Sequence, residues 1–502
     1  MRQRLTLLKV SRINVRNGGI LLKAFAVVLA LFLLAEVSTS AYGNSDTTRT
    51  PIKHLIILMM ENHSFDNLFG QYGNTSSGGI AGGVTLPYNL ITQQASQGLT
   101  AVSPGYFSTA DPYEGYYNYH QDWNNGQMNG FLNGSGPSSL YYFTADQMAL
   151  QWAIAQNYAI GDMYFSSTLS ETIPNRLYSL AGYTPVQQDQ SPPPYIPYDK
   201  TIFSELDSYG VSWGYYFLNP SKSMTPLNFV SGIGSEESNI GTWQDFQNSV
   251  RSATLPSVTW VSPIGGGAQY YSQHPPDNVL IGEVWLFNVI EMLMNSRLWN
   301  SSAIFVTYDE GGGYFDQVSP PTVSSTQLGF RVPFMVISPY AKEDYVSHTI
   351  LSHTSILGFI DYNWEMPPLN QLVANSNLPL DVFNFNAVYP DGHITRGPYQ
   401  FNSSFRRFLM SGLDFNVSLV ESNQSIGDLF PTSFQYSLSS LGYPLQGESH
   451  FNLSQISSSY YTQTVKSFPA TIEIAASLSA IPAVITGTLV YAYFRRKKNK
   501  QR

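Results

Sequence analysis

Cysteine is absent from the 502-residue chain. Its absence excludes disulfide bonds, thiolate metal sites and a cysteine nucleophile, although it does not identify a cellular compartment. Ionisable side chains are also scarce, since Asp, Glu, Lys and Arg make up 12% of the residues, about half of the usual ~25%. A surface with few carboxylates has few charges to lose when acid protonates them, so the composition is compatible with an acidic exterior.

The charge balance argues against one class of partner. The formal net charge is -9, and the chain carries basic residues at its two ends. A nucleic-acid-binding surface needs a basic patch, and the body of the chain shows no such pattern. We therefore expect no nucleic-acid partner.

Both ends of the chain have the pattern of membrane-targeting segments. Basic residues, the apolar run Ala24 to Ala35 and small residues predict a secretory signal over residues 1–41, with an uncleaved anchor helix as the alternative. An apolar stretch over 470–494 is long enough to cross a bilayer, and the basic tail 495–502 follows it. A buried core helix is the alternative there. By the positive-inside rule we expect a single-pass protein of the cell membrane, with its body extracellular and its tail cytoplasmic.

The order of predicted elements indicates an α/β fold. Short apolar runs at His54–Met60, Ala303–Tyr308 and Phe334–Ser338 predict buried strands. The apolar spacing after Asp277, a candidate cap, predicts a helix that runs to about Asn295. Strands that alternate with helices predict a central sheet with helices on both faces.

Two stretches lack these patterns. The Gly-, Ser- and Tyr-rich stretch from about Gly70 to Leu140 predicts mostly loop. The stretch of about 185–255, rich in Pro and Tyr, predicts a loop-rich insertion that leaves the core. We assign the main domain to 50–365 and a C-terminal extension to 366–465.

Two pairs of polar residues directly follow predicted strands. Glu61-Asn62 follows the first strand, and Asp309-Glu310 follows a later strand and precedes three glycines. In open α/β sheets, ligands bind beyond the carboxyl ends of the strands, and hard divalent cations prefer oxygen ligands. Polar turns that bond to their own backbone are the alternative for both pairs. The pairs indicate either a shared site for one or two cations or two ordinary turns.

The segment Thr172-Ile-Pro-Asn-Arg176 predicts the start of a helix. Thr172 is expected near the N-cap and Pro174 in the first turn. The N-terminus of a helix favours anions such as phosphate, and Arg176 could add a bidentate contact. An ordinary N-cap is the commoner use of threonine at this position.

Several of the eight histidines lie in or near these segments. A histidine can act as a general acid or bind phosphate oxygens, but each one is more often a surface residue or a satisfied buried residue. The candidates are His63, His120, His274, His348 and His353.

Taken in order, the segments resemble the bacterial phosphoesterase family that joins non-haemolytic phospholipases C with a class of acid phosphatases. The resemblance covers about residues 52 to 361 and implies an alkaline-phosphatase-like α/β core with a catalytic domain over 50–365. The similar pieces are Met60–Asp66, His120, Thr172–Arg176, His274–Pro276, Tyr308–Gly313, Gly329–Pro333, Ile337–Pro339, Ser347–Thr349 and His353–Ser355.

The resemblance implies a metal-dependent hydrolase of phosphoric esters, phospholipid head groups among them, that acts through a phospho-threonine intermediate. Thr172 would be the nucleophile and would also contact the divalent metal ion. Arg176 and Asn175 would bind the phosphate. The other implied metal ligands are Glu61, Asn62, Asp309 and Glu310, and the histidines that would steady the phosphoryl group or protonate the leaving alcohol are His120, His274 and His353.

The chain departs from the family pattern at three positions. Gly311 and Gln317 stand where the family usually has histidine, and Ser352 stands where it commonly has aspartate. These departures leave the number of metal ions open. They also keep open a different class of function, a cell-surface binding protein on a degenerate hydrolase scaffold. A sulfatase is a weaker alternative, because that class usually matures a cysteine or serine, and cysteine is absent.

Overall fold

The computed structural model describes residues 47–72, 99–102, 106–217, 225–263 and 271–386, together with residues 399, 401 and 409. An eight-stranded sheet forms the centre of this part of the chain. Its strands are β1 (His54–Met60), β2 (Ala159–Gly161), β3 (Trp213–Phe217), β4 (Ile240–Thr242), β5 (Val258–Ser262), β6 (Ser302–Tyr308), β7 (Phe334–Ile337) and β8 (Tyr345–Ser347).

The strands lie in the order β8-β2-β7-β6-β1-β5-β3-β4. Strand β7 is antiparallel to both of its neighbours, and the other neighbouring pairs are parallel. Strand β1 pairs with β6 along its whole length, from His54 opposite Ser302 to Met60 opposite Tyr308. Both strands are almost completely buried, as expected for central parallel strands with both faces covered. The three strands predicted from apolar runs are confirmed.

Helices cover both faces of the sheet. Neighbouring side chains of a strand point to opposite faces, so Phe305 and Tyr308 of β6 mark the two sides. The Phe305 ring lies 5.2 Å from that of Phe359, whereas the Tyr308 hydroxyl accepts a 2.6 Å hydrogen bond from Gln151. The α/β prediction is thereby confirmed. The helices of the described ranges are α1 (Phe65–Phe69), α2 (Tyr116–Trp123), α3 (Phe131–Gly134), α4 (Ala149–Asn157), α5 (Thr172–Ala181), α6 (Ile202–Ser208), α7 (Trp243–Ser252), α8 (Val279–Met294), α9 (His353–Asn363) and α10 (Gln371–Ala374).

Two stretches predicted as loop contain regular structure. The stretch of about 185–255 supplies strands β3 and β4 of the central sheet, so the prediction of an insertion outside the core is wrong. The sequence of β3 is Trp-Gly-Tyr-Tyr-Phe, and this aromatic run lacks the alternation that reveals a half-buried strand. Helices α2 and α3 lie within the other stretch, from Gly70 to Leu140. Helix α2 is rich in Tyr, Asn and His, which are weak helix formers.

The start of one predicted helix differs from the structure. Helix α8 begins at Val279, and its cap is Asn278 rather than Asp277, because the Asn278 side chain accepts a 2.9 Å hydrogen bond from the Leu280 amide. The predicted signal, anchor and tail lie outside the described residues, as does most of the predicted extension. Among the residues that are described, no helix has the length and apolarity needed to cross a membrane.

A buried ion-pair cluster joins three segments that are far apart in sequence. Arg331 donates to Asp66 at 2.7 Å, to Asp316 at 3.0 Å and to the Asp162 carbonyl at 3.0 Å. All three ion-paired side chains are at most 3% exposed. Removal of one partner from such a buried cluster typically costs about 3–5 kcal/mol, because a charge is left without compensation. Asp66 and Asp316 therefore hold their motifs in place.

The Glu283 carboxyl is buried at the start of α4. Its Oε2 accepts hydrogen bonds from the amides of Leu150 at 2.7 Å and Gln151 at 3.3 Å. Burial raises the pKa of Glu283 from 4.5 to about 8, although these amides oppose the shift. The stabilisation from this proton is fully present below pH 4.5 and is lost as the pH rises through about 8.

We expect the melting temperature to fall between pH 6.5 and 8 in part because folded Glu283 holds a proton that the unfolded chain has already released. The Glu283→Gln variant cannot titrate there, so its unfolding free energy should decline less steeply, by up to about 1.4 kcal/mol per pH unit for a single proton. Calorimetry at several pH values measures the slopes. Glu237→Gln, at an exposed glutamate, is the matched control and should keep the wild-type slope. Equal slopes in all three proteins would contradict this account.

Candidate active site

The parallel pairing of β1 and β6 places the two predicted acid pairs side by side. Because Met60 lies opposite Tyr308, Glu61-Asn62 and Asp309-Glu310 leave the sheet together. The Asn62 amide donates a 3.2 Å hydrogen bond to Asp309 Oδ1, and the Glu310 amide donates to the same oxygen at 2.9 Å. The four side chains are at most 5% exposed. They form one buried polar cluster at the carboxyl edge of the sheet.

Two left-handed residues allow the strand ends to turn within this small space. Asn62 has a φ of 64°, a conformation that asparagine tolerates better than most residues, and Gly312 has a φ of 63°. A Cβ atom on Gly312 would lie only 2.0 Å from the Asn62 carbonyl oxygen. Glycine at position 312 is therefore needed both for its backbone conformation and for the close approach of the two loops.

The Thr172 hydroxyl reaches this cluster. Thr172 is the first residue of α5, next to the cap residue Glu171, and its Oγ1 donates a 3.4 Å hydrogen bond to Asn62 Oδ1. Asp189 from the following loop accepts a 2.7 Å hydrogen bond from the Ile173 amide, so a carboxyl group already occupies this helix end. Pro174 has no amide hydrogen to offer. The structure thus brings the predicted nucleophile and the predicted metal ligands together.

Arg176 does not take the phosphate-binding position predicted for it. Its guanidinium is 2% exposed and pairs with Asp309 at 2.8 Å and with Glu61 at 3.7 Å. It also donates to the Met60 carbonyl at 3.2 Å. The side chain lies beneath the acid pairs and offsets part of their charge, because α5 approaches the sheet with this residue on its inner face.

Asn175 and His353 also lie below the surface of the site. The Asn175 side chain bonds to the backbone of Thr168, Ser170 and Glu171 and so fixes the turn before α5. His353 is fully buried, where Nε2 donates to the Asp309 carbonyl at 2.7 Å and Nδ1 lies 3.0 Å from the Tyr164 hydroxyl. Burial lowers the pKa of His353 to about 4, so the ring is neutral and positions the Asp309 loop. Neither residue has the substrate-facing position predicted from the sequence.

Glu114 is a site residue that sequence reasoning missed. Its Oε1 accepts a 2.6 Å hydrogen bond from Asn62 Nδ2, and its Oε2 lies 3.9 Å from His274 Nε2. The residue precedes α2 in a stretch predicted as loop, with no strand end or motif to mark it. Its only sequence signal is that it is one of few acidic residues in that stretch.

His274 lies at the half-buried rim of the cluster. Its Nδ1 donates a 2.6 Å hydrogen bond to the Pro275 carbonyl, which leaves Nε2 directed to the Glu114 carboxylate. Burial opposes a charge on the ring, but the carboxylates of Glu114 and Glu61 raise the pKa of His274 to about 9. The imidazole is therefore cationic at neutral pH and can donate a hydrogen bond or a proton.

The other three candidate histidines make their own contacts with the protein. His120 of α2 is half-buried, with Nδ1 donating a 2.7 Å hydrogen bond to the Tyr116 carbonyl. His63 is buried between Asn67 and the Gln273 carbonyl, so it has a packing role. His348 pairs with Asp162 at 3.0 Å and is half-exposed.

The donor set fits a hard divalent cation. Burial and the neighbouring acids raise the pKa of Glu61 and of Glu310, and a bound cation would relieve that repulsion. Tyr119 and the Gly312 amide donate to Glu310 Oε2, whereas the buried Oε1 has no protein partner within the described structure. As the side chains are placed, no three acidic or histidine residues of the described ranges converge as a metal site. The oxygen donors are of the kind that a divalent cation prefers, but their side chains would have to move to coordinate one ion together.

Comparisons with known proteins decide the family. The model of the phosphoesterase family matches residues 52–367. The chain belongs to the phosphoesterase family. This phosphoesterase is 28% identical over 421 residues to phospholipase C B of Mycobacterium tuberculosis, covering 67% of this chain and 78% of that protein. It is 26% identical over 420 residues to non-hemolytic phospholipase C of Burkholderia pseudomallei, covering 67% of this chain and 59% of that protein. The family and these relatives support a phosphoric ester hydrolase, as predicted.

A solved structure shows a more distant likeness. A protein in the alkaline phosphatase superfamily from Vibrio parahaemolyticus aligns with a TM-score of 0.31 and 10% identity, over 67% of this chain and 73% of that chain. The membership of this phosphoesterase in its family rests on the sequence matches.

The residues at the three positions that depart from the family pattern make contacts within the fold. Gly311 packs against Phe330, whose Cβ would lie 3.3 Å from an added methyl group. The Gln317 backbone amide donates a 2.9 Å hydrogen bond to Asp66. Ser352 is the N-cap of α9 and forms a capping box with Ser355. The phosphoesterase thus keeps an ordered scaffold at all three positions.

We expect Gly312→Ala to displace the Asn62 loop and to lower kcat/KM for p-nitrophenyl phosphate by at least about tenfold. Gly210→Ala is the matched control, because Gly210 has a similar φ of +66° but open space around it. Both variants should bear the cost of a left-handed alanine, about 1–2 kcal/mol in urea unfolding. Only Gly312→Ala should lose activity. Full activity in that variant would show that the contact does not shape the site.

Proposed function

We propose that this phosphoesterase is a metal-dependent, extracellular hydrolase of phosphoric esters that acts through a phospho-threonine at Thr172. One observation carries the proposal: the 3.4 Å hydrogen bond from Thr172 Oγ1 to Asn62 Oδ1. It joins the start of α5 to the strand ends where the buried acids lie. A hydroxyl and oxygen ligands for a cation then share one small volume.

In this proposal Thr172 Oγ1 attacks phosphorus. The Oγ1 proton is released to solvent, and the new bond from Oγ1 to phosphorus forms as the bond between phosphorus and the leaving alcohol oxygen breaks. The alcohol oxygen takes up a proton, and water later hydrolyses the phospho-threonine, which restores the Thr172 hydroxyl and releases the phosphate product. Asn62 orients the hydroxyl through their hydrogen bond. His274 is cationic at neutral pH, so it can donate a proton to the leaving alkoxide or a hydrogen bond to a phosphoryl oxygen.

Glu61, Asn62, Asp309 and Glu310 would hold the divalent cation, with Thr172 beside it. Such an ion lowers the pKa of a bound hydroxyl and stabilises negative charge on phosphoryl oxygens. The protein supplies the buried carboxylates, and Arg176 and His353 keep Asp309 in place from below. Tyr119 and the Gly312 amide fix one oxygen of Glu310 and leave the other available.

The relatives suggest phospholipid head groups among the substrates, because the matching proteins are named as phospholipases C. The predicted signal over 1–41 and the predicted anchor over 470–494 place the catalytic body outside the cell, tethered to the membrane. The same proposal includes an alkaline-phosphatase-like fold of the core, as the sequence resemblance implies. A tether at a bilayer suits lipid substrates and also suits the scavenging of soluble phosphate esters.

Thr172→Ala should lower kcat/KM for p-nitrophenyl phosphate and bis(p-nitrophenyl) phosphate by at least about 10³-fold, because the nucleophile is lost. Thr172→Ser keeps a hydroxyl and should stay within about tenfold of the wild type. Acid quenching of a reaction with ³²P-labelled substrate should trap label on the wild-type protein and not on Thr172→Ala. Circular dichroism checks that both variants fold. An alanine variant within tenfold of the wild type would refute the nucleophile assignment.

Removal of divalent cations with a chelator should abolish hydrolysis and lower the melting temperature, because the bound ion stabilises the folded state. Titration calorimetry with Mg²⁺, Ca²⁺, Mn²⁺ and Zn²⁺ should show binding to the wild type. Glu310→Gln should weaken that binding at least about tenfold, whereas Glu237→Gln at the exposed surface should leave it unchanged. Chelator-resistant activity together with no measurable binding would exclude metal dependence.

A further inference from the structure

A cleft of about 440 Å³ opens beside the candidate active site. It is of a size that small ligands occupy in proteins. Four segments form its walls: helix α2, the turn before α5, the loop after α5 and a short hairpin near residue 326. Its lining includes Tyr116, His120, Thr168, Leu169, Gln187 and Thr326.

The cleft is adjacent to Thr172 along two of its walls. Leu169 precedes Thr172 by three residues on one wall. On the other wall Glu114, which accepts the hydrogen bond from Asn62, precedes Tyr116 by two residues. The two walls meet at Gly115, where an added Cβ would lie 3.2 Å from the Glu171 carboxylate. A group bound in the cleft is therefore close to an ester attacked by Thr172.

The lining has no Asp, Glu, Lys or Arg side chain. Its polar groups are hydroxyls, amides and the His120 imidazole. In the described part of the chain, the Thr168 and Thr326 hydroxyls and the Gln187 side-chain amide make no hydrogen bond to other protein groups, so they are available to a ligand. The Tyr116 ring is covered by His120, with centroids 4.0 Å apart, so it does not offer an open aromatic cage for a quaternary ammonium group.

We propose that this cleft binds the leaving alcohol and selects an uncharged, polyhydroxylated group such as glycerol or a sugar. This inference rests on the proposed function, because it assigns the alcohol side of that reaction. Hydroxyl and amide side chains can exchange hydrogen bonds with the hydroxyl groups of such an alcohol, whereas an aliphatic group would displace water from them without replacing its hydrogen bonds. Glu171 lies at Gly115, where the two walls of the cleft meet, and it accepts a hydrogen bond from the Asp189 amide. These two acidic residues disfavour an alcohol that carries a second anionic group.

The test compares matched leaving groups on the full chain in detergent. Glycerol 3-phosphate, n-propyl phosphate and phosphocholine are assayed, as monoesters and as methyl diesters, with p-nitrophenyl phosphate and bis(p-nitrophenyl) phosphate as references. We expect kcat/KM for the glycerol ester to exceed that for the propyl ester by about tenfold or more. The double variant Gln187→Leu/Thr326→Val should reduce this preference to within about twofold, while hydrolysis of the p-nitrophenyl reference esters remains measurable. Gln188→Leu, at an exposed neighbour outside the cleft, is the control and should keep the preference.

Equal rates on the glycerol and propyl esters, a preference for phosphocholine, or an unchanged preference in the double variant would overturn the cleft assignment while activity on the reference esters persists. Loss of all hydrolysis in the wild type, the p-nitrophenyl esters included, would instead overturn the proposed function itself. The two failures are therefore distinguishable in one set of assays.

Discussion

The in-register parallel pairing of β1 with β6 is the constraint on which the site depends. Seven residue pairs align the strands, so both end at the same level of the sheet. The residues that follow two neighbouring parallel strands lie at the same edge of the sheet. Asn62 and Asp309 are therefore in contact although they are 247 positions apart in the sequence. A shift of one residue would turn the side chains of β1 to the opposite face of the sheet. Core packing thus sets the geometry of the candidate chemistry.

Close packing of acids at one edge has an electrostatic cost, and buried arginines offset it. Arg176 pairs with Asp309 and Glu61, and Arg331 pairs with Asp66 and Asp316. Buried pairs contribute little net stability compared with apolar packing, but loss of one partner leaves a costly charge. The two arginines act where the loops must be rigid. A catalytic role for Arg176 would require it to leave partners that hold the site together.

The sequence predicts which residues gather at the edge of the sheet better than it predicts where their side chains point. Apolar runs revealed β1, β6 and β7, and the acids after them could be placed at one edge because parallel strands share it. Arg176 and His353 were predicted to face the phosphate, whereas both lie below Asp309. Glu114 could not be predicted, since its position depends on long-range packing of a loop that follows no period. Strand β3 was missed because its tyrosines and its glycine share the composition of the stretch around it, which indicated loop.

The scarcity of charged residues and the burial of several carboxyl groups both affect how the fold responds to low pH. Several carboxyls away from the proposed metal ligands are buried, and burial raises the pKa of Asp122, Glu283 and Asp361 to about 8 in each case. These groups are already protonated in the folded state near neutral pH, so acid does not remove charges from them. Few other carboxylates exist to be titrated, because charged residues make up only 12% of the chain. Neutral buried histidines such as His63 and His353 have pKa values of about 4, which delays their protonation in acid. The composition and the buried carboxyl groups together favour a fold that tolerates acid.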